Sequence, residues 1–175
     1  MFKKDKPKVS LGIPIFNESK YISETVNSLI NQTYENIEII AIDNDSNDDS
    51  FRILESLSKQ DNRLKIFKNT KNIGMSENFN LVFKKSTGKY FAWIGAHDIY
   101  EKEFVEKLVN KLETTHNAAV AFSNISKIDS EGKKFEINKE TGFELHSSSS
   151  YLRQLKIPWE IRGSGDIVMG IFNKN

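Results

Sequence analysis

Apolar and polar residues alternate in blocks over the first two thirds of the chain. Short apolar runs with the length of strands lie at residues 9–15, 37–42, 64–67, 90–94 and 118–125. Between these runs, apolar residues such as Ile22, Val26 and Leu29 recur every three or four positions, as on the buried face of a helix. The alternation predicts βαβ units, and therefore an α/β fold in which helices cover both faces of a mostly parallel sheet.

The pattern changes after residue 125. Residues 129–133 (DSEGK) predict a turn between two short strands, and residues 167–172 form a further apolar run. The chain contains no internal repeat and no segment with the composition of a long linker. We therefore expect residues 1–175 to belong to one domain.

Polar clusters follow three of the predicted parallel strands, at the point where each strand ends. Asn17 and Glu18 follow the first strand, residues 43–45 follow the second, and His97 and Asp98 follow the fourth. Ligands of open parallel sheets bind beyond the carboxyl ends of the strands. The three clusters therefore predict one binding site at that edge of the sheet.

Composition and charge exclude several classes of protein. The chain has 25 Lys and Arg against 24 Asp and Glu, a net charge of +1, whereas a nucleic-acid-binding domain carries a clear basic excess. It contains no cysteine, which excludes disulfides, thiol nucleophiles and Cys-ligated metals. No apolar run is long enough to cross a membrane or to form a signal peptide. We therefore expect no transmembrane segment in this chain; its oligomeric state is not predicted.

The predicted site is rich in carboxylates and amides and lacks the motifs of other α/β enzymes. There is no Gly-x-Gly-x-x-Gly, no Walker A loop and no Gly-x-Ser-x-Gly elbow. Asp43, Asp45 and Asp98 offer hard oxygen ligands that suit Mg²⁺ or Mn²⁺ bridging phosphates. Residues 43–48 (DNDSND) are equally compatible with an Asx-rich turn that caps the next helix, and both interpretations stay open here.

The order of the motifs resembles that of inverting family 2 glycosyltransferases with the GT-A fold. The motifs that carry the resemblance are residues 9–18 (VSLGIPIFNE), 28–34 (SLINQTY), 38–46 (EIIAIDNDS), 72–74 (NIG), 78–80 (NFN) and 88–98 (GKYFAWIGAHD). The likeness extends over about residues 8–125. It implies a Rossmann-like GT-A sheet, with residues 8–125 as the nucleotide-binding half and residues 126–175 as the start of an acceptor half.

The resemblance also implies roles for individual residues. Phe16 is expected to stack on the base of a nucleotide, and Asp43 is expected to contact that base. The remaining implied nucleotide-binding residues are Pro14, Asn17, Glu18, Asn44, Asp45, Asn72, Gly74, Asn78 and Asn80. His97 and Asp98 are the implied ligands of Mn²⁺ or Mg²⁺, which offsets the repulsion between diphosphate and carboxylates.

The implied reaction transfers a sugar, with inversion, from a nucleotide-diphospho-sugar to an acceptor hydroxyl. The expected donor is a UDP-sugar, and the expected acceptor is a glycan or a lipid-linked glycan in polysaccharide or glycoconjugate biosynthesis. Such a protein would work in the cytoplasm, or peripherally at the inner face of the membrane.

The sequence departs from the family pattern at two places. The family's metal motif reads Asp-x-Asp-Asp, but residues 95–98 read Gly-Ala-His-Asp, so that His97 replaces a carboxylate. The family's catalytic base is not identified, because Asp166 precedes the strand that the base should follow. The chain is therefore expected to be the nucleotide-binding part of a longer protein, truncated at its C-terminus. Two alternatives remain: a non-catalytic GT-A module that binds a nucleotide or organises a complex, and a nucleotidyltransferase.

Overall fold

The computed structural model describes residues 6–123, 126–129, 131–137 and 170–174. Strands and helices alternate along the first part of the chain, and short strands follow. The elements are β1 (Val9–Ile15), α1 (Ile22–Ile30), β2 (Ile37–Asp43), α2 (Ser50–Ser58), β3 (Leu64–Lys68), α3 (Met75–Lys85), β4 (Tyr90–Trp93), α4 (Phe104–Thr114), β5 (Val120–Ala121), β6 (Ser126–Ile128), β7 (Lys134–Ile137) and β8 (Ile171–Asn173).

Among the described residues, the main sheet has six strands in the order β3-β2-β1-β4-β8-β5. Strands β3, β2, β1 and β4 are parallel to one another, and β8 lies between β4 and β5 and is antiparallel to both. The predicted α/β class and mostly parallel sheet are confirmed. The strand predicted over residues 118–125 is shorter than expected, because β5 contains only Val120 and Ala121, while residues 124 and 125 lie outside the described part.

Helices pack on both faces of the sheet, as predicted. On β2, Ile39 and Ala41 belong to the larger apolar core, which also contains buried residues of α1, α2 and α4. Ile40 and Ile42 point to the opposite face, where Val82 of α3 covers them. Strand side chains alternate between the two faces, so a strand that is buried at every position, as β2 is, indicates a sheet covered on both sides.

A glycine on β1 allows α3 to approach the sheet closely. A Cβ atom on Gly12 would lie 2.3 Å from Cγ1 of Val82 and 2.9 Å from the ring of Phe91. Any larger residue at this position would force α3 away from the sheet. Gly12 therefore contributes to the position of α3, which borders the pocket described below.

The amino ends of the strands are tied together by Glu38, which is buried on β2. Its Oε1 accepts hydrogen bonds from Oγ of Ser10 (2.7 Å) and from the backbone N–H of Thr87 (2.7 Å). Its Oε2 lies 2.9 Å from Nζ of Lys8 and 2.8 Å from Nζ of Lys65. Burial alone raises the pKa of Glu38, but the hydrogen bonds from these partners outweigh it and hold the pKa well below its usual value.

The chain order of the parallel strands reverses at β1. The connection through α1 leads to β2 on one side of β1, whereas α3 leads to β4 on the other side. Such a reversal opens a crevice at the carboxyl ends of the two strands involved. In the part of the chain that the structure describes, no helix has the length and hydropathy needed to cross a membrane.

Beyond the first five strands, β6 and β7 form a separate antiparallel hairpin. Its turn is closed by Oδ1 of Asp129, which accepts hydrogen bonds from the backbone N–H groups of Glu131 and Lys133, both at 2.9 Å. The predicted hairpin is therefore confirmed.

Candidate functional site

A pocket of about 330 Å³ lies at the carboxyl edge of the sheet, at the reversal between β1 and β4. This volume is in the range of small-molecule sites. The pocket is bordered by the loop after β1, by the end of β2, by the start of α3 and by the segment after β4. Its lining residues are Pro14, Ile15, Phe16, Glu18, Asn44, Asn72, Met75, Asn78, Phe79, Ile94, Gly95, Ala96 and His97.

The loops after β1 and β2 are joined by hydrogen bonds. The backbone N–H of Asn17 donates to Oγ of Ser46 (2.9 Å), and Oδ1 of Asn17 accepts from the backbone N–H of Asn47 (3.0 Å). The backbone N–H of Glu18 donates to Oγ of Ser50 (2.8 Å). Asn17 has a positive φ of 56°, and its side chain is used to bind the neighbouring loop. These hydrogen bonds fix the loop after β1, which borders the pocket, against the segment after β2.

Asp43 ends β2 and is fully buried. Its Oδ2 accepts a hydrogen bond from the backbone N–H of Ser46 at 3.0 Å. Its Oδ1 is also buried, and it has no hydrogen-bond partner among the described residues. A buried polar atom without a partner carries a desolvation cost that a ligand N–H can remove. In Asp43, Oδ2 therefore accepts a hydrogen bond within the protein, whereas Oδ1 has no partner among the described residues.

The acidic residues after Asp43 serve the turn. Asp45 adopts a left-handed backbone conformation (φ 62°) and is exposed outside the pocket lining. Asp48 accepts hydrogen bonds from the backbone N–H groups of Ser50 (2.9 Å) and Ser19 (3.0 Å). Burial raises the pKa of Asp48, but the bonds from Ser50 and Ser19 dominate and lower it to about 2. The Asx-turn interpretation therefore fits Asp48 and Oδ2 of Asp43, whereas it does not account for the free Oδ1 of Asp43.

An amide network forms the floor of the pocket. Oδ1 of Asn44 accepts a hydrogen bond from Nδ2 of Asn69 (2.9 Å), and Nδ2 of Asn44 donates to Oδ1 of Asn72 (3.0 Å). Nδ2 of Asn69 also donates to Oδ1 of Asn78 (3.0 Å). The network joins the ends of β2 and β3 to the first turn of α3, since Nδ2 of Asn44 also reaches the carbonyl oxygen of Gly74 at 3.3 Å.

Asn69 was missed by the sequence analysis. It directly follows β3 and therefore occupies the same strand-end position as the three polar clusters that were recognised. Applying the strand-end rule to every parallel strand would have found it.

Two exposed apolar side chains flank the pocket. Phe16 is 45% exposed, and Met75, at the first position of α3, is 74% exposed. Both line the pocket, together with the partly buried Phe79. Exposed apolar side chains beside a crevice are typical of ligand sites, and an aromatic ring offers a stacking surface to a flat ligand. Met75 was not predicted to belong to the site.

Of the two implied metal ligands, His97 lines the pocket and Asp98 does not. Nδ1 of His97 lies 3.2 Å from Oε1 of Glu18, and the His97 side chain is 60% exposed. Asp98 is half-buried and does not line the pocket. Burial, and secondarily the charge of Asp98, raise the pKa of the Tyr100 hydroxyl above its usual value. The described residues contain no group of three or more His, Asp or Glu side chains arranged to hold a metal ion.

The structure thus brings most of the predicted residues to one pocket. Pro14, Phe16, Glu18, Asn44, Asn72, Asn78 and His97 line it, and Gly74 contacts the amide network. Asn80 is exposed outside the lining, two positions along α3 from the buried Asn78. Asp166, the acid considered for the catalytic base in the sequence, lies outside the described residues.

Comparisons of sequences give a consistent family. The sequence profile described as "Glycosyl transferase family 2" matches residues 10–172. An uncharacterized glycosyltransferase of Haemophilus influenzae is 43% identical over 107 residues, which are 61% of this chain and 33% of that protein. Glycosyltransferase GlyG of Streptococcus pneumoniae is 30% identical over 127 residues, or 73% of this chain and 42% of that protein. The chain therefore spans less than half the length of these two relatives.

Comparisons of structures agree on the fold. The S. aureus TarS fragment 1–349 in complex with UDP-GlcNAc is 26% identical, with a TM-score of 0.59 over 65% of this chain and 33% of that chain. The mannosyltransferase PcManGT from Pyrobaculum calidifontis, in complex with GDP-Man and Mn²⁺, is 17% identical, with a TM-score of 0.61 over 71% of this chain and 37% of that chain. At that identity, the second likeness shows the fold alone.

Proposed function

Since the chain belongs to glycosyl transferase family 2, we propose that its pocket binds a nucleotide-diphospho-sugar whose sugar is transferred to an acceptor hydroxyl. The observation that carries the proposal is the position of the pocket. It lies at the strand reversal between β1 and β4, and it combines a stacking surface at Phe16 with amides and a nearby buried carboxylate. A nucleotide needs both features, because its base is flat and apolar on its faces and polar at its edge.

In the proposed complex, Phe16 stacks on the base and Met75 covers it from α3. The free Oδ1 of Asp43 accepts a hydrogen bond from an N–H at the edge of the base. Uracil and guanine both present such an N–H. We propose a UDP-sugar as donor, supported by the UDP-GlcNAc complex of the TarS fragment, which is the more similar in sequence of the two solved structures described above.

His97, which lines the pocket, and the adjacent Asp98 offer donors that suit a divalent cation that the diphosphate helps to hold. Mg²⁺ and Mn²⁺ sites of this kind use one or two protein ligands, and phosphate oxygens and waters complete the coordination. His97 and Asp98 would supply the protein ligands. When bound, the cation would neutralise charge that develops on the leaving diphosphate. Pro14, Glu18 and the amide network hold the nucleotide against the sheet.

The proposed reaction inverts the configuration at the anomeric carbon. The acceptor oxygen attacks from the side opposite the diphosphate, so the new C–O bond forms as the bond to the diphosphate breaks. A carboxylate takes the hydroxyl proton. We assign no described residue to that role. The proposed setting is synthesis of a polysaccharide or glycoconjugate in the cytoplasm or at the inner face of the membrane, with a glycan or lipid-linked acceptor.

Calorimetric titration with UDP, GDP and CDP, each with and without Mn²⁺, tests the proposal. We expect one nucleotide to bind in a metal-dependent manner, and UDP to bind most tightly. If none of the three nucleotides binds to the chain, the proposal is wrong.

One observation favours a second function, a nucleotide-binding module without catalysis. Gly95 stands where the family motif has its first aspartate, and the described residues hold no three-ligand metal cluster. A turnover assay with a nucleotide-sugar and a panel of acceptors separates the two functions. Nucleotide binding without transfer to any acceptor would support the non-catalytic module.

A further inference from the structure

We propose that Glu18 is a positioning residue that fixes the tautomer of His97, so that Nε2 of His97 is presented to the metal–diphosphate group of the ligand. The metal part of this inference rests on the proposed function, whereas the positioning part rests on the metal-free geometry. It accounts for the histidine at a place where the family motif has a carboxylate.

The contact joins two different loops at the mouth of the pocket. Glu18 lies in the loop after β1, and His97 lies in the segment after β4. Oε1 of Glu18 and Nδ1 of His97 are 3.2 Å apart, and both residues line the pocket. Among the described residues, no hydrogen bond is made to Nε2 of His97. One ring nitrogen is therefore held by protein, and the other is left for a ligand.

The chemistry of the pair determines the direction of the hydrogen bond. An ionised carboxylate has no proton and only accepts, so Nδ1 of His97 must carry the hydrogen. In the neutral ring, Nε2 is then the atom with the free lone pair. Histidines that bind metals commonly donate their other N–H to a carboxylate, which orients the ring and strengthens it as a ligand.

The Glu18 side chain is not needed to hold its own loop. The loop is fastened through the backbone of Glu18: its N–H donates to Oγ of Ser50, and its carbonyl oxygen accepts from the N–H groups of Tyr21 and Ile22, both at 3.0 Å. A Glu18→Gln substitution keeps all of these bonds. It therefore changes the partner of His97 without removing the anchors of the loop.

Replacing a carboxylate with an imidazole also changes the preferred cation. Mg²⁺ takes oxygen ligands, whereas imidazole is a common ligand of transition metals. We expect the site to prefer Mn²⁺ or Co²⁺ to Mg²⁺ in the presence of UDP. His97→Asp restores an oxygen ligand and is expected to raise the affinity for Mg²⁺ relative to Mn²⁺.

Long-range ¹H–¹⁵N correlation spectra of the metal-free chain test the positioning role directly. At an alkaline pH, where an ordinary imidazole is neutral, we expect His97 to be mainly the Nδ1–H tautomer. In Glu18→Gln the population is expected to shift towards Nε2–H, while Glu24→Gln, an exposed change on α1, leaves it unaltered. His97→Asn identifies the signals. An Nε2–H tautomer in the unmodified chain, or equal populations in Glu18→Gln, overturns the proposal.

Mn²⁺ affinity, measured by electron paramagnetic resonance with saturating UDP, tests the consequence. Loss of an outer-shell partner commonly lowers metal affinity roughly 10- to 100-fold, and we expect this loss for Glu18→Gln but not for Glu24→Gln. If His97→Asn retains full Mn²⁺ affinity while Glu18→Gln loses it, Glu18 is itself the ligand and the proposal is wrong. If neither UDP nor Mn²⁺ binds the unmodified chain, the proposed function fails, and the tautomer spectra still decide the role of Glu18.

Discussion

The two ends of β2 each carry a buried carboxylate, and the two have very different surroundings. At the amino end, both oxygens of Glu38 have partners: Ser10 and Thr87 on one oxygen, and Lys8 and Lys65 on the other. At the carboxyl end, Asp43 has one partner for Oδ2 and none among the described residues for Oδ1.

This difference distinguishes a structural carboxylate from a binding one. The chain supplies every hydrogen bond that Glu38 needs, so Glu38 stabilises the junction of β1, β2, β3 and the loop before β4. Asp43 itself does not line the pocket, but the next residue, Asn44, does, and exposed apolar side chains border that pocket. Burial of a carboxylate is therefore not by itself a sign of function; the count of satisfied oxygens is the informative quantity.

The largest expected effect is loss of stability at the amino end. Glu38→Gln removes the negative charge between Lys8 and Lys65. It also replaces one carboxylate oxygen with an amide NH₂ group, which cannot accept a hydrogen bond. We expect the free energy of unfolding to fall by roughly 3 kcal/mol, at the lower end for a broken buried ion pair because Lys8 and Lys65 can be rehydrated. Urea denaturation measures this change, with the exposed Glu55→Gln as control. A loss no larger than that of the control would contradict the structural role.

The same carboxylate predicts how stability depends on pH. Its pKa is lower in the folded than in the unfolded chain, where the ordinary value is 4.5. The unfolded chain therefore binds the proton first, and the stabilisation by Glu38 is complete above that value and is lost as the pH falls below it. We expect the difference in unfolding free energy between the unmodified chain and Glu38→Gln to be constant near neutral pH and to shrink below pH 4.5. A difference that grows in acid would contradict a lowered pKa of Glu38 in the folded chain.

A smaller effect, on binding and not on folding, is expected at the carboxyl end. Asp43→Asn can keep the hydrogen bond from Ser46 while removing the free acceptor. We expect UDP affinity to fall roughly 10- to 100-fold, as for loss of a hydrogen bond to a charged group, while the free energy of unfolding changes by less than about 1 kcal/mol. Calorimetry and urea denaturation measure the two quantities, with Glu55→Gln as control. Unchanged UDP affinity would remove Asp43 from the site.

The smallest effect is expected in the amide network. Asn69→Ala deletes the donor shared by Asn44 and Asn78, so the first turn of α3 loses one of its links to β2. We expect a loss of about 1 kcal/mol in stability and a weakening of UDP binding by a few fold. The matched control is Asn110→Ala on the exposed side of α4. If Asn69→Ala binds UDP as tightly as Asn110→Ala does, the amide network has a structural role only.

The fold was largely predictable because its signal is local. Each strand and helix of the first half shows its own periodicity, and the turn at Asp129 shows its own composition. The position of β8 was not predictable, because pairing between β4 and a strand about 80 residues later leaves no trace in local periodicity. The short length of β5 has the same origin, since it depends on its contact with β8.

The site was predictable as a location and less so as a set of side chains. The strand-end rule indicated the correct edge of the sheet, but Asn17 and Asp45, which both have positive φ angles, lie outside the pocket lining. Asn80 could have been set aside from helix geometry, because residues two positions apart on α3 face different directions. The contact between Glu18 and His97 joins two loops that are distant in sequence, and only coordinates reveal it.

The central claim is that the carboxyl edge of the sheet binds the nucleotide and the amino edge does not. Backbone amide spectra of the ¹⁵N-labelled chain, titrated with UDP and Mg²⁺, test it residue by residue. We predict shifted signals for Phe16, Asn44 and Met75 and unchanged signals for Glu38 and Lys65. Shifts centred on Glu38 and Lys65, or no shifts anywhere at saturating UDP, would contradict the account.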